Sequence, residues 1–377
     1  MGERITSIDT VRALAMVPIV AIHAEPFAGL GAVGNAALFT IDALGRFAVP
    51  FFFLTAGYLF ARKLTDVEPA TYAKGYLSRV GSIYVFGLLL YVPFVLVEAA
   101  GRAHLEGESP TAALVSRAVG TASPHELFYY GTSVITMLWF LTALWVSIAL
   151  VYLFVSRGAE RFLLPTAAVV HVVGILGENY PMILTLPVST RDALFFGFFY
   201  TALGYWLGTR NPTVRAKRRP LLVGAFVVGS IGSVAERYVV GYVLGDASFA
   251  SEVYTAEYSA MTVLAAVALF YLVLATPRFG ANTRLPRVGR YAVGIYVCHP
   301  LILFSLVAAA EVLAIDGIAL QQTVLWHLVL TPVAFVGAYV GYRAMVGRGI
   351  VDPGGSHLPS VERVRSSALV RRLSPPS

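Results

Sequence analysis

Two residues in an otherwise apolar run, "DTVRALAMVPIVAIHAEPF" from Asp9 to Phe27, have side chains suited to binding and reaction: Arg12 and His23. Both are costly in hydrocarbon, so their presence asks for a reason. Successive residues turn by about 100°, so a helix carries the two on one face, roughly 16 Å apart along its axis. A histidine takes a proton from a hydroxyl near neutral pH. An arginine at a membrane surface grips a phosphate through its two-pronged fork. Asp9 precedes Arg12 by three residues and lies on the same side, where it can orient the guanidinium. Each residue alone has a plainer reading, with Arg12 as a cation snorkelling to the interface and His23 as a hydrogen bond to a neighbouring helix. On one shared face they outline a polar track through half a membrane, because ionisable groups inside a span usually face a cavity.

The chain that positions them has 377 residues, 57% hydrophobic and 13% charged, with mean hydropathy +0.73. A soluble domain this apolar would expose large sticky patches, so composition points to an all-α, polytopic membrane helix bundle. Ten apolar stretches are long enough to cross a bilayer, each of roughly 18–24 residues. They start near Val11, Leu38, Leu77, Ser133, Arg161, Asp192, Pro220, Ala256, Tyr291 and Gln322. With the N-terminus in the cytoplasm, every inward loop is basic. Of the 28 Lys and Arg, only Arg46, Arg102, Arg117, Arg191 and Arg237 fall outside those loops. This distribution satisfies the positive-inside rule with both termini cytoplasmic. It also removes nucleic acid as the partner that a net charge of +7 would suggest, since the basic residues sit in short turns where orientation accounts for them. The opposite side is acidic, with Glu106, Glu108, Asp246, Glu252 and Glu257. The one cysteine, Cys298, excludes an internal disulfide and a thiolate metal cage, and no metal site is expected.

The membrane domain is read as residues 1–348, followed by a Pro-, Ser- and Arg-rich tail, 349–377, expected to be a disordered cytoplasmic end. The long outer loop before the fourth stretch contains "SPTAALVSRAVG", read as a short amphipathic helix on the membrane surface. A weak n-region without a small-residue cleavage site argues against a signal peptide. Asp42 and Arg46, four apart, form a same-face ion pair that either braces the second span or holds a polar ligand near His23. Trp139 and Tyr296 either stack on a sugar ring or serve as packing aromatics. His299, buried mid-span, is either functional or an interhelical bond. His327 and Cys298 read as structural. Glu25 follows His23 by two and is expected to point elsewhere, while Glu236 and Arg237 read as solvated at the outer end of the seventh span.

Four segments, in order, resemble the acyltransferase-3 family of integral membrane acyltransferases. "SIDTVRALAMVPIVAIH" is similar to its first-span hallmark of a basic residue, ten residues, then histidine. "RFAVPFFFLTAGYLF" resembles its second span, "MLWFLTALWVSIALVYLF" its fourth, and "VGRYAVGIYVCHPLIL" its ninth. The likeness covers about residues 5–346. It departs from the family at Ala56, where serine is common, and at Met137, where histidine often precedes the Leu-Trp-Phe-Leu run. It departs again at Tyr76, which stands three before Arg79 where a second arginine is usual. The resemblance implies transfer of an acyl group, commonly acetyl from acetyl-CoA, to a hydroxyl of a glycan or other acceptor at the outer face. It implies no bound cofactor, with acyl-CoA as co-substrate. His23 would be the general base and Arg12 and Arg79 would hold the donor phosphates. Arg46, Trp139, Tyr296 and His299 are candidates for the acceptor side. The setting would be a plasma membrane, with Arg12 and His23 lining one interior open to the cytoplasm. The alternative is a transporter that uses the same track to pass a polar or lipid-linked sugar.

Overall fold

Helix starts are written locally in this sequence. Pro69 occupies a first helical position, where its missing N–H is no loss, and the Glu68 carboxylate accepts from the Ala70 and Thr71 amides at 2.9 and 2.6 Å. In the computed structural model, which describes residues 5–121, 123–251, 253–312 and 319–352, no strand occurs among the described residues. Glu252 and nearly all of the expected C-terminal tail lie outside them. The helices are α1 (Thr6–Ala24), α2 (Gly31–Gly45), α3 (Ala48–Leu64), α4 (Pro69–Leu105), α5 (Pro110–Thr121), α6 (Trp139–Ser156) and α7 (Glu160–Asn179). They continue with α8 (Phe198–Arg210), α9 (Arg219–Tyr238), α10 (Ala260–Ala275), α11 (Leu285–Gly289), α12 (Ala292–Val312) and α13 (Val324–Gly347). The segment expected to form a short surface helix is α5.

Among the described residues, eight helical stretches are long and apolar enough to cross a bilayer. The sixth and eighth expected spans are helices too, but of 13 and 16 residues, short of the ~20 that hydrocarbon requires. A π-helical turn, Ala193–Gly197, leads directly into α8. Leu89 and Val97 on α4, Val169 and Val172 on α7, Ile231 on α9 and Leu328 and Val336 on α13 are exposed. An apolar belt of this kind is stable only against lipid. The molecule is therefore a multi-pass membrane protein.

Inside, aromatic rings fill the space between helices. Phe51, Phe53, Phe198, Tyr200, Tyr258 and Phe270 are almost wholly buried, and Phe53 meets Phe140 with ring centres 4.8 Å apart. Helices α3 and α8 press backbone to backbone. A methyl group on Gly57 would overlap the Thr201 carbonyl, and one on Gly204 the Leu54 carbonyl, so neither position tolerates a side chain. Pro300 interrupts α12, and the Tyr91 hydroxyl from α4 enters the ladder there. It donates to the Val297 carbonyl at 2.6 Å and accepts from the Leu301 amide at 3.1 Å.

One expectation is overturned at the far end of α9. Arg237 is fully buried, donating to the Ala256 carbonyl at 2.9 Å and to the Ser233 and Thr262 hydroxyls. Glu236 accepts from the Ala260 and Met261 amides at 2.8 and 2.9 Å and from Ser259 at 2.6 Å. The loop into α10 folds over this end, and the carboxylate serves the orphan amides and positive pole of that helix start.

Candidate active site

Helix α1 sets the site. Arg12, Met16, Ile19 and His23 recur at helical spacing and form one stripe down its length. Asp9 lies 3.7 Å from the Arg12 guanidinium, as the three-residue spacing suggests. The stripe borders two cavities that share Ile19 and, from α3, Val49. Apolar Met16 and Ile19 occupy the middle of the stripe, between Arg12 and His23.

The first cavity, of about 330 Å³, holds Arg12, Arg79, Arg290, Tyr72, Tyr76 and Tyr296 among its walls. Three guanidinium groups with aromatic rings beside them form a cation-rich recess, suited to multiple phosphates and to a planar base. Tyr76, where the family commonly has arginine, lines the same wall as Arg79. Ala56 also borders this cavity.

The second cavity, of about 500 Å³, contains His23, Asp42, Arg46, Met137, Trp139, Arg191 and Glu257. Arg46 donates to both Asp42 oxygens, at 2.9 and 2.6 Å, and pairs with Glu257. Arg191 donates to the other Glu257 oxygen at 2.9 Å, and its guanidinium carbon lies 5.4 Å from the Trp139 ring centre. Burial pushes the Glu257 carboxyl upward, but the Arg46 and Arg191 guanidiniums overcome this and hold it at about 2. Asp42, Arg46, Glu257 and Arg191 thus form one ion-paired polar wall beside His23.

Behind His23 stands a second imidazole. The rings of His23 and His299 stack with centres 5.3 Å apart and planes 28° from parallel. His299 is fully buried and borders neither cavity. Its Nδ1 lies 3.1 Å from the Ile295 carbonyl, which fixes the proton there, while Nε2 is buried without a partner. Tyr296 borders the first cavity, not the second, and its hydroxyl is engaged by the Met137 carbonyl. Of the residues singled out from sequence, Arg12, Arg79 and Tyr296 thus gather at one cavity and His23, Arg46 and Trp139 at the other.

Three further residues join them. Arg191 and Glu257 come from loops, and nothing in their spacing connects them to His23. Arg290 stands at the start of the segment resembling the ninth span, where its adjacency to that motif was the available signal. Glu25 does not point away. It lines the second cavity because α1 ends at Ala24 and Glu25 takes a left-handed conformation, φ 46°, which ends the 100° arithmetic.

Residues 5–343 match the family described as the acyltransferase domain. An acyl-transferring enzyme held in a membrane by several helices is the class this defines. The chain belongs to that family, the acyltransferase-3 proteins. Its relatives include two proteins named amino-acid racemase from Enterococcus faecalis. One is 25% identical over 231 residues (57% of this chain, 30% of the relative), and the other 25% over 241 residues (61% and 33%). A serine/alanine racemase of Enterococcus gallinarum is 22% identical over 310 residues, 78% of this chain and 40% of the relative. The chain spans well under half the length of these relatives. No solved structure matches it.

Proposed function

We propose that this protein is a membrane O-acyltransferase that moves an acyl group, acetyl foremost, from acyl-CoA to a hydroxyl of a glycan or other cell-surface acceptor. The observation that carries this reading is the pairing of two unlike cavities along one helix stripe. One offers Arg12, Arg79 and Arg290 to an anionic donor, and the other offers His23 beside an ion-paired polar wall. In this reading the basic loops face the cytoplasm of a plasma membrane, where acyl-CoA is made, and the His23 cavity faces outward. The donor remains a co-substrate, not a bound cofactor.

Neutral His23 takes the proton of the acceptor hydroxyl as its oxygen attacks the thioester carbonyl carbon. A carbon–oxygen bond forms, the carbon–sulfur bond breaks, and the departing CoA thiolate takes the proton back from the imidazolium. Arg46, Arg191 and Trp139 orient the acceptor, the guanidiniums through hydroxyl contacts and the indole by stacking. The buried His299 ring backs the His23 imidazole and limits its rotation.

The test is transfer of radiolabelled acetyl from acetyl-CoA to candidate glycan fragments by the purified full chain. Wild type should label acceptor and release CoA, and His23→Ala should do both at least about a hundredfold more slowly. If wild type moves no label and releases no CoA, or if His23→Ala matches an active wild type, the reading fails.

A further inference from the structure

A third cavity, of about 530 Å³, opens between α7 and α8, with Glu160, Arg161, Pro165, Ala168, Trp206 and Arg210 in its wall. It shares no lining residue with the two cavities along α1. Its place follows from the chain's course. Helix α6 starts at Trp139, beside His23, and a short turn reverses the chain into α7, so Glu160 and Arg161 lie at the opposite, Arg12 end. Helix α8 starts just after Phe196, which borders the His23 cavity, and reaches that same end at Arg210.

Both cations rest over aromatic rings. The Arg210 guanidinium carbon is 4.0 Å from the Trp206 ring centre, and that of Arg161 is 4.6 Å from the Phe162 ring centre. A guanidinium held by a ring face keeps its N–H groups for another partner. Among the described residues, neither side chain forms an ion pair or a hydrogen bond. From Arg161 an apolar stripe runs along α7. Pro165, Ala168 and Val172 follow at helical spacing, and Val172 is 54% exposed in the apolar belt. The rise from Arg161 to Val172 is about 16 Å, close to half the ~30 Å thickness of the hydrocarbon.

We infer that this cavity binds one anionic phospholipid, its phosphate held by Arg161 and Arg210 and an acyl chain lying along the Pro165–Ala168–Val172 stripe. Two guanidiniums and the Glu160 carboxylate are the charged groups in the wall, so the recess complements a single phosphodiester. The carboxylate can accept from a head-group hydroxyl, which the glycerol of phosphatidylglycerol supplies and the choline of phosphatidylcholine does not. A free phosphate would use the guanidiniums alone and leave the stripe uncovered. The positive-inside distribution turns this end of the bundle to the cytoplasmic leaflet, where basic pockets between spans meet anionic head groups.

Native mass spectrometry of the full chain in detergent tests this, with phosphatidylglycerol, phosphatidylcholine or orthophosphate titrated in. Wild type should retain one phosphatidylglycerol at least about tenfold more tightly than phosphatidylcholine. Arg161→Gln combined with Arg210→Gln should abolish that preference. Arg215→Gln combined with Lys217→Gln removes the same charge from a loop outside the cavity and should bind like wild type. Gel filtration identifies a double variant that fails to fold. Ala168→Phe, which fills the stripe, then carries the measurement, with a similar loss expected. The inference is overturned if the folded cavity variant keeps the preference, if the loop variant loses it equally, or if wild type shows none. Displacement of the lipid by orthophosphate also overturns it, in favour of a free-phosphate site. None of these outcomes bears on acyl transfer.

Discussion

Glu257→Gln is the perturbation whose size the structure defines best. The carboxylate bridges Arg46 and Arg191, and the three side chains are 22%, 10% and 26% exposed. Glutamine keeps the shape and removes the charge, leaving two guanidiniums to face each other across a neutral amide. Fully buried pairs broken from one side lose about 3–5 kcal/mol, and exposed pairs about 0–1 kcal/mol. The carboxyl is held at about 2 against its ordinary 4.5, which corresponds to about 3 kcal/mol as an upper figure. Partial exposure brings the expectation to between about 1 and 3 kcal/mol, a fall of a few degrees in unfolding midpoint for a chain of this size. The sign with pH follows from the depressed value. The stabilisation is complete above the ordinary value of about 4.5 and is lost as pH falls through about 2. Tryptophan-fluorescence unfolding in detergent should therefore show the variant below wild type at pH 7, with the gap closing between pH 4 and pH 2. A variant as stable as wild type at pH 7, or a gap that does not narrow in acid, would refute the proposed electrostatic role.

His23→Ala should lower the acetyl-transfer rate by about 10²–10⁴-fold, the usual worth of a general base, with an unchanged elution profile on gel filtration. Equal rates in the two proteins would remove His23 from the reaction. Arg79→Ala should raise KM for acyl-CoA several-fold while kcat for bound donor stays near wild type. Steady-state kinetics with varied donor reads this, and an unchanged KM would detach Arg79 from donor binding. Gly57→Ala should sharply lower the yield of folded protein, because its methyl group would force α3 away from the α8 backbone. Wild-type yield and melting temperature in that variant would contradict the close approach described.

Much of this architecture can be read from residue spacing alone. The helical period places Arg12 and His23 on one face, and four-residue spacing pairs Asp42 with Arg46, because both relations lie within one helix. Hydropathy finds the helices, though length separates eight clear candidates for spans from α8 and α10, whose surroundings are largely protein. What spacing does not reveal is whatever loops bring together. Glu257 and Arg191 are 66 positions apart, yet they complete the wall beside His23. Arg237 looked like a solvated end residue because sequence does not show the α10 loop folding over it. Glu25 escaped because a single left-handed residue cancels helical arithmetic. The apolar middle of the stripe is legible too: Met16 and Ile19 stand between Arg12 and His23 on the same face.

The Tyr91 hydroxyl has a consequence for how the second imidazole is held. Proline at position 300 opens the α12 ladder one residue beyond His299, and a phenol from α4 both gives and takes a hydrogen there. Phenylalanine would fill the same space but lose the bridge, leaving the Leu301 amide to close directly on the Val297 carbonyl four residues before it and tighten the turn that carries His299. The placement of His299, and through the stacked rings that of His23, is thus anchored by a residue more than two hundred positions upstream. Of the ordinary side chains, tyrosine alone combines that reach with a group able to play both parts.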